Sequence, residues 1–227
     1  MEKKYLRMWA ITLFPDEQKD SPKDPALVIT RFAKETALKE EISELLDFLY
    51  DRIDIIPQKA ELPYPLALEV YDSYTRDQLF AALGFAKPAS IREGVKYLDH
   101  TNSDTVTRPT DVFLVTLNKS QKEFSDTTLY EDYSIDRHLF HWQSQSTTTP
   151  ESKTGQRYLS QRETGSIVLL FVRSAKQDAC RNAMAYTFLG TAKIVSHEGS
   201  QPISIIYRLD QPIPAKYITK TDSSGVL

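Results

Sequence analysis

The sequence predicts an α+β protein, in which a helical N-terminal segment leads into a β-rich domain built as a sandwich or barrel. Three observations point there. Apolar residues in the first sixty positions recur at helical spacing, and beyond residue 90 the period changes to that of strands. Between the two, residues 57–66 (PQKAELPYPL) hold three prolines and no helical period. That stretch sets a boundary, giving a helical connector over 1–63 and a β-rich domain over 64–227.

The helices have specific signals. In 35–54, Leu38, Ile42, Leu45, Leu46, Leu49 and Ile53 fall on one face, opposite Lys39, Glu40, Glu44 and Asp47. Tyr5 to Phe14 reads as a short helix stopped by Pro15, and the polar run 15–25 as a loop. The apolar surface of this segment is too small for an independent domain, so it packs on the β-rich domain or on a neighbour. A helix over 75–83 opens with Thr75 and Gln78 in capping-box spacing and stops at Gly84, which tolerates the left-handed conformation.

Strands are predicted at 94–98, 111–117, 138–145, 166–173, 185–189, 193–197 and 203–209. The runs VFLV (112–115) and IVLLFV (167–172) are continuously apolar, as in strands covered on both faces. About seven strands at modest spacing suit a sandwich or barrel.

Composition narrows the functional classes. The chain of 227 residues carries 28 basic and 31 acidic side chains, a net charge of −3, which argues against a globally basic nucleic-acid binder but leaves room for a local basic face. Such a face is present in sequence: 137–181 holds seven basic and three acidic residues. With 41% apolar residues a substantial core can form. The lone Cys180 excludes a disulfide framework and any multi-cysteine zinc site, and is expected as a buried thiol. No apolar run is long enough to span a membrane, so a cytoplasmic protein is expected.

Enzyme signatures are missing. There is no Gly-x-x-x-x-Gly-Lys loop, no dinucleotide fingerprint and no His-Glu-x-x-His. His138 and His141 fall on opposite faces of a strand, which makes them poor joint metal ligands. No catalytic residue, metal or cofactor is assigned. A nuclease with dispersed acids such as Glu93 and Asp111 is the weakest of the alternatives.

The informative stretch is 113–158. Its aromatic residues include Tyr130, Tyr133, Phe140 and Trp142, with His141 beside them. Amides and hydroxyls able to meet a base edge are interleaved, namely Asn118, Gln143 and Ser144, and Lys119, Arg157 and Arg162 lie close in sequence as phosphate partners. Alternation along 138–145 puts His141 and Gln143 on one face, and Phe140, Trp142 and Ser144 on the other. One face belongs to the core, so Phe140 and Trp142 are either core or the wall of a pocket.

Several runs carry a resemblance. Thr116-Leu117-Asn118-Lys119, Leu139-Phe140-His141-Trp142-Gln143-Ser144-Gln145, Thr154-Gly155-Gln156-Arg157-Tyr158, Tyr186-Thr187-Phe188-Leu189-Gly190 and Val195-Ser196-His197-Glu198-Gly199 resemble one family. It is the domain of unknown function at the C-terminus of bacterial proteins that join a phospholipase-D-type nuclease to a superfamily-two helicase. The likeness covers about residues 64–215, with Tyr207 standing where the family pattern has Trp. It implies an SRA-like or PUA-like twisted β-barrel, similar to the target-recognition domain of type IV, ATP-dependent restriction enzymes that act on modified cytosine.

The resemblance further implies binding of double-stranded DNA carrying 5-methyl- or 5-hydroxymethylcytosine, read by base flipping. Helicase and nuclease domains would be partners in cis or in trans, and the chain itself would not be an enzyme. Under this reading Tyr130, Tyr133, Phe140, His141, Trp142, Asn118, Gln143 and Ser144 form the base pocket. The alternative is a protein-docking or regulatory module of a nuclease–helicase complex with no base recognition.

Overall fold

The computed structural model describes residues 2–15, 24–85, 94–117 and 132–218. Three helices come first: α1 (Glu2–Leu13), α2 (Pro25–Phe32) and α3 (Thr36–Tyr50). The helix α2 begins inside the predicted loop because Asp24 caps it, its side chain accepting from the Ala26 N–H, and Pro25 is well placed in a first helical turn. The rest of that predicted loop, 16–23, lies outside the described residues.

The helix α4 (Arg76–Ala82) is capped as its sequence dictates. Thr75 Oγ accepts from the Gln78 N–H at 3.3 Å, and Gln78 Oε1 accepts from the Thr75 N–H at 2.9 Å. Gly84 follows with φ +72°, and the Asp104 side chain sits where a Cβ would be. Thr75→Ala removes one half of this reciprocal pair and is expected to cost about 1 kcal/mol, read as a lower urea midpoint at unchanged slope.

The protein is a mixed α+β structure around one large, mainly antiparallel sheet. Its strands are β3 (Ser73–Tyr74), β4 (Val95–Leu98), β5 (Thr110–Thr116), β6 (Tyr133–Ser134), β7 (Leu139–Gln143), β8 (Ile167–Arg173), β9 (Tyr186–Glu198) and β10 (Ser204–Leu209). They run in the order β4-β5-β8-β9-β10-β7-β6, with β3 added on β9. The pair β5–β8 is parallel, from Thr110 opposite Ile167 to Thr116 opposite Arg173. Two further strands, β1 (Gln58–Lys59) and β2 (Glu69–Val70), pair by themselves.

Both faces of the central strands are covered, as the apolar runs require. On one side Val112, Leu114, Leu169 and Phe171 pack with Leu79, Phe80 and Leu83 of the α4 segment, and with Met8 and Ile11 of α1. The first helix is thus part of the sheet's own core. On the other side Phe113, Val115, Leu170 and Val172 meet Phe140, Trp142, Ile205 and Tyr207.

The second core shows that the sheet curls. The strands β5 and β7 lie four places apart, about 19 Å in a flat sheet. Yet the Phe113 and Trp142 rings stack at 4.1 Å. Among the described residues no ladder joins the outer strands β4 and β6, so the curled sheet has two edges.

Two predicted strands, 185–189 and 193–197, are one strand. At Gly190 (φ +98°) the register with β8 slips by one residue, a bulge that reads in sequence as a break. The region 153–164, for which the sequence predicts no helix or strand, holds helices α5 (Lys153–Leu159) and α6 (Gln161–Thr164). Cys180 is exposed rather than buried, in a turn where Asp178 accepts from the Cys180 and Asn182 N–H groups.

Candidate functional site

The site begins with one carboxylate in apolar company. Asp111 is the second residue of the fully buried strand β5, directly before its apolar run, and is 2% exposed. Burial pushes its carboxyl above the usual carboxylate range, against the pull of Arg157. A buried carboxylate needs a cation, and α5 supplies it. Arg157 Nε donates to both carboxylate oxygens at 3.1 and 3.2 Å, and Nη2 lies 3.0 Å from Oδ1.

The residues of α5 explain how it reaches so far in. Ser152 caps it by accepting from the Gly155 N–H at 3.1 Å. Gly155 packs directly on the Thr149 carbonyl, leaving no room for a Cβ. The close approach brings Tyr158 into the core and Arg157 over Asp111.

The Arg157 guanidinium lies 4.7 Å from the Tyr97 ring centre and 5.0 Å from that of Tyr158. Tyr158 donates to Gln145 Oε1 at 3.3 Å, which also accepts from Thr148 Oγ at 3.2 Å. Burial first, and the Asp111 charge second, push the Tyr158 hydroxyl up to about 12. The Tyr207 hydroxyl is buried with no partner among the described residues, and burial raises it well above its ordinary value.

Above Arg157 opens a cleft of about 400 Å³, lined by Lys96, Tyr97, Gln145, Thr148, Thr154 and Arg157. It brings two cations, a tyrosine ring and an amide to one opening. Groups of these kinds can stack on a planar ring, pair with a base edge and neutralise a phosphate.

The predicted site residues divide. Phe140 and Trp142 are sealed in the second core, where Trp142 also meets the edge of Tyr158 at 5.2 Å. Alternation left two options for these rings, and the curl of the sheet selects the interior. Ser144 is fully buried as well. Its Oγ accepts from the Ile203 N–H at 2.9 Å and donates to the Gln145 carbonyl, so it ties the end of β7 to β10 rather than facing outward.

On the opposite face of β7 the half-buried His141 pairs with an exposed tyrosine. Tyr133 of β6 is 39% exposed and stacks on His141 at 4.7 Å with the rings 21° apart. Gln143, on the same face, donates from Nε2 to Ser204 Oγ at 3.4 Å. Of the cations, Arg162 is spent on the backbone of β9, donating to the carbonyls of Ile194 at 2.8 and 3.2 Å and Val195 at 3.4 Å. Asn118, Lys119 and Tyr130 lie outside the described residues.

Two residues of the cleft, Lys96 and Tyr97, carry no mark in the sequence. The signal that could have led there is Asp111 itself: an acid at the head of a buried strand demands a basic partner from elsewhere in the chain.

Among the described residues no group of three or more His, Cys, Asp or Glu side chains could hold a metal ion, and no helix is long and apolar enough to cross a membrane. Fold and cleft together define an α+β domain with a curled sheet and a cation-bearing aromatic cleft beside one of its edge strands. The chain belongs to the family described as a domain of unknown function, DUF3427, whose model matches residues 68–220. No curated protein matches the chain.

Proposed function

We propose that the chain is a DNA-binding target-recognition module that reads 5-methyl- or 5-hydroxymethylcytosine by base flipping, within an ATP-dependent, type IV-like restriction system of the cytoplasm. Nuclease and ATPase activities belong to other domains or partners. The observation that carries the reading is the cleft, where a guanidinium lies against Tyr97 and Tyr158 beside Lys96 and Gln145. The curl of the sheet supports an SRA-like barrel, whose remaining closure would come from the edge strands. The base pocket is relocated from Phe140 and Trp142 to this cleft, with the Tyr133–His141 pair as a second stacking surface on the DNA.

Gel shifts with otherwise identical methylated, hydroxymethylated and plain duplexes test the reading. Burying one methyl group contributes about 0.8 kcal/mol, so a preference of about fourfold or more for the methylated duplex is expected. Equal affinity for all three duplexes removes the modified-base reading.

The burial of Phe140 and Trp142 favours a second reading, in which the domain docks other proteins of a nuclease–helicase complex and reads no base. On that reading the three duplexes bind alike or not at all.

A further inference from the structure

We infer that α3 presents a docking face for a partner protein that offers an apolar groove with a basic rim. This inference is independent of what the cleft binds. The helices α1 and α2 bury Met8, Ile11, Val28 and Phe32, whereas α3 buries no residue along its fifteen positions. Its apolar stripe faces solvent: Leu45 is 52% exposed, Leu46 51%, Leu49 50% and Ile53, just beyond the helix end, 51%. Leu38 and the half-buried Ile42 extend the same stripe. A helix of this length spans about 22 Å, and helices in water gain most of their stability from packing such a stripe against something. A row of four leucines with an isoleucine beyond is also larger than the scattered apolar residues of an ordinary surface.

The charge around the stripe selects the occupant. Residues 36–54 hold six acids (Glu40, Glu41, Glu44, Asp47, Asp51 and Asp54) against Lys39 and Arg52, a net charge of −4. Arg52 lies 3.9 Å over the Phe48 ring, on the protein's own surface. A second copy of this helix would set −4 against −4. An anionic membrane surface would be repelled too, and helices that lie on such surfaces carry Lys and Arg on their polar face. A protein groove lined by apolar side chains and edged by Lys or Arg matches both features, in the helix-in-groove manner with anchors at helical spacing.

The test uses the full chain and two labelled synthetic helical peptides, one of Leu and Lys and one of Leu and Glu in the same amphipathic order. Fluorescence anisotropy is expected to show the Leu/Lys peptide binding about tenfold or more tighter than the Leu/Glu peptide. The double variant Leu45→Ala with Leu49→Ala keeps strong helix formers at exposed positions, so its circular dichroism and melting temperature stay unchanged. It is expected to bind the Leu/Lys peptide about tenfold more weakly, since interface energy concentrates in a few anchors. Equal binding of the two peptides overturns the proposal, as does undiminished binding by the double variant. Sedimentation showing a dimer of the unmodified chain that the double variant abolishes also overturns it, in favour of a second copy.

Discussion

Trp142→Ala is expected to lower stability by about 4 kcal/mol, the range for a large aromatic deleted from a core. Trp142 is 4% exposed, stacked on Phe113 at 4.1 Å and edge-on to Tyr158 at 5.2 Å. These rings come from β5, β7 and α5, so the deletion opens a void where the curl of the sheet closes on itself. For a chain of this size the loss corresponds to a fall in melting temperature of about 10 °C. Differential scanning calorimetry measures it. A pocket wall open to solvent would behave differently, leaving the melting temperature nearly unchanged while DNA binding disappears. That outcome would return Trp142 to the base pocket and contradict its place in the core.

Arg157→Met is expected to be almost as costly, about 3 kcal/mol at neutral pH, because it leaves the Asp111 carboxylate buried without its cation. The pH dependence has a definite sign. Burial already holds the Asp111 carboxyl above the usual range, so folding favours its protonated form. The stability associated with the neutral acid is fully present below the ordinary carboxylate value and is lost as pH rises through the raised folded value. Removing Arg157 removes the influence that lowers that value, so the window moves up and the loss at neutral pH grows. Urea midpoints at pH 5 and pH 7.5 check this: the gap between the variant and the unmodified chain should be smaller at the lower pH. A gap of equal size at both would show that the ion pair is not its source. Adding Asp111→Asn to Arg157→Met should recover much of the loss at neutral pH, since no charge then remains buried.

What could be read from sequence tracks how local each signal is. The Thr75–Gln78 cap and the Gly84 stop involve atoms a few residues apart, and both form. The runs at 112–115 and 167–172 are apolar at every position, which demands cover on two sides whatever the topology, and both strands have it. The split of β9 failed because a bulge glycine and a turn glycine look alike until the neighbouring strand fixes the register. Propensity does not predict α5, because Gly155, a poor helix former, is required there by the Thr149 carbonyl, a contact that local sequence does not reveal.

The site was harder for the same reason. Alternation along β7 separated Phe140 and Trp142 from His141 and Gln143 correctly, but which face is covered depends on β5 and β10. The sequence marks Arg157 as a cation, yet its partner Asp111 stands 46 positions earlier in the chain. Arg162 looked equally available, and only the bulged backbone of β9 shows what holds it.

The parallel pair β5–β8 has a consequence for how the molecule is made. Among the described residues the hairpins β4–β5 and β6–β7 join the sheet's ladders only through β8 and β10, both from the last third of the chain. A nascent chain emerging from the ribosome therefore carries the Phe113 and Val115 face of β5 uncovered until residue 173 has been delivered, and β7 waits for residue 209. Synthesis from the N-terminus leaves these sticky segments waiting, the circumstance in which chaperones are most needed.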